Sequence, residues 1–262
     1  MTRYIDTHAH FDMYTAEERE AVLGRMRKSD TKAIAVGTDT KSSQGVVELA
    51  RGNEDMFACV GIHPDECVHA DMNTITRLAH ESCVVAIGEC GFDYFRGESS
   101  ELRPLQQTVF EAQIECALTH GKPLMLHIRP SPNTMDAYDD ALDLLEGYAR
   151  THGEALTGNA HFFAGGLEHA RRFLDIGFTL SFTGVITFTR DYDEVIRFVP
   201  QDMIHAETDS PFVAPEPHRG KRNEPSYVPY VVERIAQIRG VETEELRTVL
   251  VDNARRCFSI NL

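Results

Sequence analysis

Short apolar runs alternate with longer amphipathic ones along all 262 residues of the chain. The short runs, rich in Val, Ile, Ala and Phe, predict eight strands: Tyr4–His8, Ala33–Thr38, Phe57–Ile62, Val84–Glu89, Pro123–His127, Thr157–Phe162, Phe178–Phe182 and Met203–Asp209. The amphipathic stretches between them predict helices over Ala16–Lys28, Ser42–Arg51, Met72–Glu81, Leu102–His120, Ala137–His152, Leu167–Leu174 and Tyr192–Phe198. Two more, Tyr227–Arg239 and Thr243–Val251, close the chain. In the longest, Leu105, Val109, Phe110, Ile114 and Ala117 recur at helical spacing.

Eight strands, each followed by a helix, are the pattern of an α/β protein of the (β/α)8 barrel type. An open doubly wound sheet fits less well, because no G-x-G-x-x-G opens the first strand-to-helix turn. No linker, repeat or low-complexity stretch divides the chain, so residues 1–262 read as one domain. Two irregular stretches stand out. Pro130–Asp136 reads as the loosest segment, a loop over one mouth of the barrel, and Pro211–Pro229 carries five prolines that break any helix.

Composition narrows the function. Lys and Arg total 26 against 41 Asp and Glu, a net charge of -15, which excludes a protein that coats nucleic acid by releasing counterions. An enzyme that meets a phosphate through bound cations remains open, since a divalent ion inverts the local charge. No run approaches the roughly 20 apolar residues of a membrane span, and the N-terminal Met-Thr-Arg-Tyr has no signal-peptide core, so a cytoplasmic protein is expected. Cys59, Cys67, Cys83, Cys90, Cys116 and Cys257 show no close pairing and read as thiols rather than a disulfide framework.

In a parallel barrel the functional end is the C-terminal face of the strands. His8 and His10 alternate onto one side of the first predicted strand, and two converging imidazoles suit a cation of borderline softness. That triplet alone does not separate metal binding from ordinary hydrogen-bonded strand ends. His63, Glu89, His127, His161 and Asp209 also fall where strands leave the barrel, and so many polar groups converging without a ligand would be costly. Glu207 reads as a group that fixes a backbone or orients a ligand, and His205 as a satisfied core histidine. Asp93 and Tyr94 read equally as supports of the site or as packing. His69, His80, His120, His152, His169 and His218 fall in helices or loops with no convergent partner evident.

With these residues in hand, the chain resembles the TatD family of metal-dependent deoxyribonucleases and hydrolases. The resemblance is carried by D-T-H-A-H at Asp6–His10, G-I-H-P at Gly61–Pro64 and G-E-C-G-F-D-Y-F-R at Gly88–Arg96. It continues through Gln107, Phe110 and Gln113, L-H-I-R at Leu126–Arg129 and H-F-F-A-G at His161–Gly165. E-T-D-S-P-F at Glu207–Phe212 and R-G-K-R-N-E-P at Arg219–Pro225 complete it. The resemblance implies two divalent metal ions, with magnesium, manganese and zinc all compatible. His8, His10, Glu89 and Asp209 would hold one ion, and Glu89, His127 and His161 the other, with Glu89 as the bridge. Asp209 would orient a water or take its proton, and His63 would donate to a phosphate oxygen. Arg129 and the Arg219, Lys221, Arg222 cluster could add positive charge around a nucleic-acid backbone, although that cluster reads equally as a solvated turn.

The implied activity is hydrolysis of phosphodiester bonds in DNA or other nucleic-acid ends, trimming from a 3′ end, with binding through the metals rather than a basic surface. A metal-dependent hydrolase of an amide, ester or aminoacyl ester on the same site is the alternative, and a non-catalytic scaffold a remote third. Against the third, none of the six expected ligands is lost. Related barrels often bridge their metals with a modified lysine; here Glu89 takes that place and Lys122 precedes its strand, which favours phosphoesters. No membrane or obligate protein partner is implied. Three departures from the family pattern bear on substrate choice: Phe162 after the strand-six histidine, Asp65 and Glu66 after G-I-H-P, where they would repel a polyanion, and the long Pro130–Asp136 loop.

Overall fold

The computed structural model describes residues 2–95 and 102–261, so the Arg96 end of the Gly88–Arg96 motif lies outside the described residues. Eight parallel strands pair in chain order: β1 (Tyr4–Ala9), β2 (Thr31–Val36), β3 (Met56–Val60), β4 (Val84–Asp93), β5 (Leu124–Arg129), β6 (Gly158–Ala160), β7 (Thr179–Phe182) and β8 (Ile204–Ala206). Around them lie α1 (Ala16–Lys28), α2 (Thr40–Arg51), α3 (Met72–Leu78), α4 (Arg103–His120), α5 (Asp136–His152), α6 (Leu167–Asp175), α7 (Asp193–Phe198), α8 (Val228–Arg239) and α9 (Thr243–Cys257). This is the expected (β/α)8 barrel. β8 returns to β1 through an Ala9–Ser210 bridge rather than a long ladder. The His10 N–H donates to the Ser210 carbonyl (2.8 Å) and the Asp209 N–H to the His8 carbonyl (3.0 Å), so closure passes through candidate site residues.

Local chemistry starts the helices. Thr15 and Glu18 form a reciprocal capping box at α1, Asp39 and Ser42 do so at α2, and Asp71 caps α3 through the Thr74 N–H. Strand residues then alternate between two apolar clusters. On β2, Ala33 and Ala35 face the helices, whereas Ile34 and Val36 join Ile5, Cys59, Val85 and Met125 in a second cluster. Phe258 and Ile260, beyond α9, pack into that second cluster, each such burial contributing about 2–3 kcal/mol. No helix among the described residues is long and apolar enough to cross a membrane. All six thiols are free.

Several boundaries differ from the sequence pattern. β4 runs to Asp93, not Glu89, because Gly88 and Gly91 serve close backbone approach within the strand rather than a turn. A Cβ at Gly88 would lie 2.4 Å from the Met125 carbonyl oxygen, and one at Gly91 2.2 Å from that of His127. β6 and β8 are shorter than expected, since Phe162 (φ 46°) and Asp209 (φ 53°) turn the chain out of the barrel. α9 extends to Cys257, held by Asn253, whose Nδ2 donates to the Gln201 and Ile204 carbonyls (both 2.9 Å).

The Pro130–Asp136 loop is not loose. The Asp136 carboxylate accepts from the Ser131 N–H (2.9 Å) and hydroxyl (2.8 Å), the Thr134 hydroxyl (2.8 Å) and Arg103 (2.7 Å), tying the loop to the start of α4. These donors outweigh the cost of burial and hold Asp136 well below the usual carboxylate range.

His205 also departs from expectation. It is 1 % exposed beside the Phe258 ring, and neither ring nitrogen has a hydrogen-bond partner among the described residues. Burial pushes it down to about 4. Between that value and about 6.5 the unfolded chain binds a proton that the folded chain does not, so stability is lost as pH falls through this window. His205→Leu is therefore expected to hold or raise stability at pH 7 and to lose less than the wild type on acidification to pH 4.5. Urea unfolding at both pH values checks this; an identical acid loss would contradict it.

Candidate metal centre

β1 brings the first pair of ligand candidates. Its register with β2 shifts between Asp6 and Ala9, and His8 and His10 both turn inward with Nε2 atoms 3.2 Å apart. Asp6 anchors the strand from beneath. Its buried carboxylate accepts from the His8 N–H (3.2 Å), the Thr208 N–H (2.8 Å) and the Thr208 hydroxyl, joining β1 to the segment that carries Asp209. Burial outweighs these donors and raises Asp6 to about 8. Asp209 takes a left-handed backbone, which an aspartate tolerates better than most residues, and its Oδ1 lies 3.4 Å from His10 Nε2 and 3.9 Å from His8 Nε2.

Glu89 lies between Gly88, paired with Met125, and Cys90, paired with Leu126, so it is the extra residue of a bulge in β4. A bulge re-aims a side chain, and here it turns a carboxylate into the barrel, 3 % exposed. Gly61 permits this crowding: a Cβ there would lie 2.4 Å from the Gly88 carbonyl carbon and 2.6 Å from Gln113 Oε1. The two carboxylate oxygens divide their neighbours. Oε2 faces His8 (3.4 Å) and His10 (3.6 Å), whereas Oε1 faces His127 Nδ1 (2.6 Å), His161 Nε2 (3.1 Å) and, farther off, His63 Nε2 (3.8 Å).

The far nitrogens of the second pair each meet a further carboxylate. His127 Nε2 lies 3.0 Å from Asp93 Oδ2, and His161 Nδ1 lies 3.2 Å from Glu207 Oε1. Glu207 also accepts from the Phe162 N–H (2.6 Å) and the Ser181 hydroxyl (2.6 Å), so it orients His161 and the turn after it. Burial opposes charge on both imidazoles, yet the carboxylates prevail and raise His127 to about 9 and His161 well above its ordinary value. Burial likewise opposes a charged Glu89, but His161 and His8 hold it well below the carboxylate range. His63 goes the other way. Burial and the neighbouring His127 push it down to about 3, and its Nδ1 accepts the Asp65 N–H (3.1 Å), so the ring proton sits on Nε2, toward the cluster.

The donor set fits divalent cations. His8, His10 and Asp209 offer three ligand atoms within 4.8 Å of one another, and Glu89, His127 and His161 offer three more. Around the first group, two imidazole nitrogens and two carboxylate oxygens can share at most the two ring protons, whereas one cation satisfies all four lone pairs. Histidine with carboxylate suits zinc, manganese or iron, and the carboxylates admit magnesium. An Asp or Glu on the outer nitrogen of each second-group histidine is the usual means of fixing ring orientation and tautomer.

Arg129 lies outside the cluster, exposed, with its guanidinium 3.8 Å over the Phe95 ring. Arg219 covers Phe188 (4.2 Å), and Arg222 lies over Tyr14 (5.0 Å) and pairs with Glu18 (3.5 Å); the cluster is in part a structural clasp on the loop after β1. In the same motif, buried Asn223 donates from Nδ2 to the carbonyls of Thr208 (2.8 Å) and Phe212 (2.6 Å). The sequence reading missed it.

Gln106 is a second omission. Gln107, singled out for the family resemblance, is exposed and bonds Glu111 (2.8 Å), while Gln106 staples the Asp93 backbone through both its N–H and its carbonyl. Gln113 does the same to Ile62 (2.8 and 2.9 Å). Two buried glutamines seven residues apart on one helix face were the available signal. Lys122 serves the Val84 carbonyl at the strand starts. Contrary to expectation, His80 and His120 do converge, Nε2 to Nε2 at 3.3 Å, between α3 and α4, and His169 meets Asp139 (3.3 Å).

The model of the family described as TatD related DNase matches residues 5–259. The uncharacterized metal-dependent hydrolase YabD of Bacillus subtilis is 35% identical over 98% of this chain and 99% of its own length. The uncharacterized metal-dependent hydrolase YcfH of Escherichia coli K12 is 34% identical over 98% of this chain and 96% of its own. The crystal structure of YJJV, a TatD homolog from Escherichia coli K12, superposes with a TM-score of 0.88 at 26% identity, covering 99% of each chain.

Glu207→Gln is expected to weaken manganese binding to chelator-stripped protein by about 10–100-fold, because His161 loses the acceptor that orients it. Isothermal titration reads this directly. Unchanged affinity would show that Glu207 serves only the Phe162 and Ser181 contacts.

Proposed function

The chain belongs to the TatD related DNase family, and from that premise and the geometry above we propose a divalent-metal-dependent hydrolase of phosphodiester bonds, a deoxyribonuclease that trims 3′ ends. One observation carries the reading: the two oxygens of buried Glu89 face two separate histidine pairs, so that Glu89 could serve two divalent ions, which would supply positive charge to a phosphate. His8, His10, Glu89 and Asp209 would hold one ion, and Glu89, His127 and His161 the other. Divalent ions in these positions supply positive charge to the phosphate and acidify water in the cleft.

The chain's own residues supply the rest. Asp209, with Oδ1 facing His8 and His10, takes the proton of the attacking water on its other carboxylate oxygen. His63, with its proton on Nε2, donates to a non-bridging phosphate oxygen as charge builds there. Arg129 reaches the strand from the mouth. Asp93 and Glu207 keep His127 and His161 in register through the reaction. A second reading, hydrolysis of an ester or amide, draws support from the net charge of -15 and from Asp65 and Glu66 in the turn after His63, which oppose a polyanion.

A 3′-labelled single-stranded oligonucleotide separates the two readings. Chelator-stripped protein is expected to be inert, and added magnesium, manganese or zinc to restore cleavage. Asp209→Asn is expected to lower kcat by about 100–10,000-fold. No cleavage by protein that has taken up metal would move the assignment to the ester or amide reading. Because metal contacts rather than Lys and Arg would carry affinity, log Kd should change with log salt by a slope below about 3. A steep slope would require a basic contact surface.

A further inference from the structure

An acidic chain that binds a nucleic-acid strand needs a source of affinity other than surface cations. The metals meet only the phosphate; the bases require their own contact. Among the described residues the exposed large apolar side chains are Met13, Val68, Phe95, Leu105, Phe198 and Phe212. Four of these six follow the C-terminal ends of β1, β3, β4 and β8, at the mouth that holds the candidate ligands, so the bias is toward the site. Single exposed apolar residues are ordinary; a rigidly held aromatic ring beside a reactive centre is not.

Phe212 is such a ring. Its N–H donates to the Asp209 carbonyl (2.9 Å), and its carbonyl accepts from Asn223 Nδ2 (2.6 Å). Both partners are buried, so the backbone is clamped, yet the side chain is 48 % exposed. Its ring centroid lies 6.1 Å from that of His10, inclined at 69°. The buried side chain of Asn223 is thus spent on holding an aromatic residue in water next to a candidate ligand. Across the barrel, Phe95 is 44 % exposed, its N–H donates to Asp93 Oδ1 (3.0 Å), and Arg129 covers one ring face at 3.8 Å. β8 and β4 stand opposite each other in the strand order, so the two rings flank the cleft.

We propose that Phe212 is the stacking platform for the nucleobase next to the scissile phosphate, and that Phe95 beneath Arg129 is a second platform on the opposite rim. The inference rests on the phosphodiesterase reading above; a base held by a π-face is bound with tolerance of sequence. A duplex end would have to fray before its bases could stack.

The test compares manganese-loaded wild type, F212A, F212W and F95A on two single-stranded oligonucleotides that differ only in whether the 3′-terminal nucleotide carries a base or is abasic. Wild type is expected to show a KM about ten-fold higher for the abasic end, with kcat changed less than three-fold. F212A should raise KM for the normal end to the abasic level and erase the difference, and F212W should restore it. F95A should raise KM on both substrates. The wild-type comparison needs no variant to fold. Discrimination below two-fold by an active wild type, or discrimination retained in F212A, overturns the stacking role and leaves the phosphodiesterase reading standing. An unchanged KM in F95A removes the second platform. Wild type that cleaves neither substrate overturns the phosphodiesterase reading and the platforms with it.

Discussion

A carboxylate 3 % exposed in the middle of a barrel survives only if positive charge comes to meet it, because taking a lone anion out of water costs several kcal/mol. Glu89 is that carboxylate. Among the described residues no lysine or arginine pairs with it; its neighbours are histidines on β1, β5, the end of β6 and the end of β3. The compensating charge must then be protons on imidazoles or cations held between them. Either way, the barrel converges on one acid. The bulge in β4, the close approach at Gly61, Gly88 and Gly91 and the inward turn of His8 and His10 all follow from placing it there.

Around this centre lies a ring of polar groups whose work is positional. Asp6 ties β1 to the Thr208 backbone, Glu207 holds His161 and the Phe162 turn, Asp93 holds His127, and Gln106 and Gln113 clasp the backbones of Asp93 and Ile62. Each satisfies buried backbone or ring atoms that would otherwise cost about 1–3 kcal/mol. The barrel is also closed here. Where β8 lacks a long ladder to β1, the contacts of Asp6, His8, Asp209 and Ser210 take its place, so the candidate site and the seam of the fold are the same set of residues. Changes in these residues therefore bear on stability and activity together, whereas Phe162 bears mainly on packing beside His161.

The surface tells a complementary story. With a charge of -15 the protein repels polyanions at long range, and the basic residues near the mouth are partly committed to Phe95, Phe188, Tyr14 and Glu18. Short-range contacts at the mouth, such as the exposed rings of Phe95 and Phe212, are what such a surface leaves for recognition.

The alternation of apolar runs by itself determined the (β/α)8 barrel, since eight strand-and-helix units of this length have few other ways to bury both faces of a parallel sheet. Strand-end position likewise picked out His8, His10, His63, Glu89, His127, His161 and Asp209, and the structure brings all seven to one mouth. What no pattern could decide was partnership across distant segments. Gly88 and Gly91 give no sign of close approach until the Met125 and His127 carbonyls are seen against them; Pro130–Asp136 reads as slack until Asp136 is seen gathering its loop; His205 reads as satisfied although no hydrogen-bond partner among the described residues reaches its ring nitrogens. The role of Asn223 is hidden for the same reason, as its amide signals nothing until the carbonyls it bonds are in place. Hydrophobic periodicity is local and survives in the sequence, whereas a hydrogen bond or a shared cation is a property of two or more places in the chain that only folding brings together.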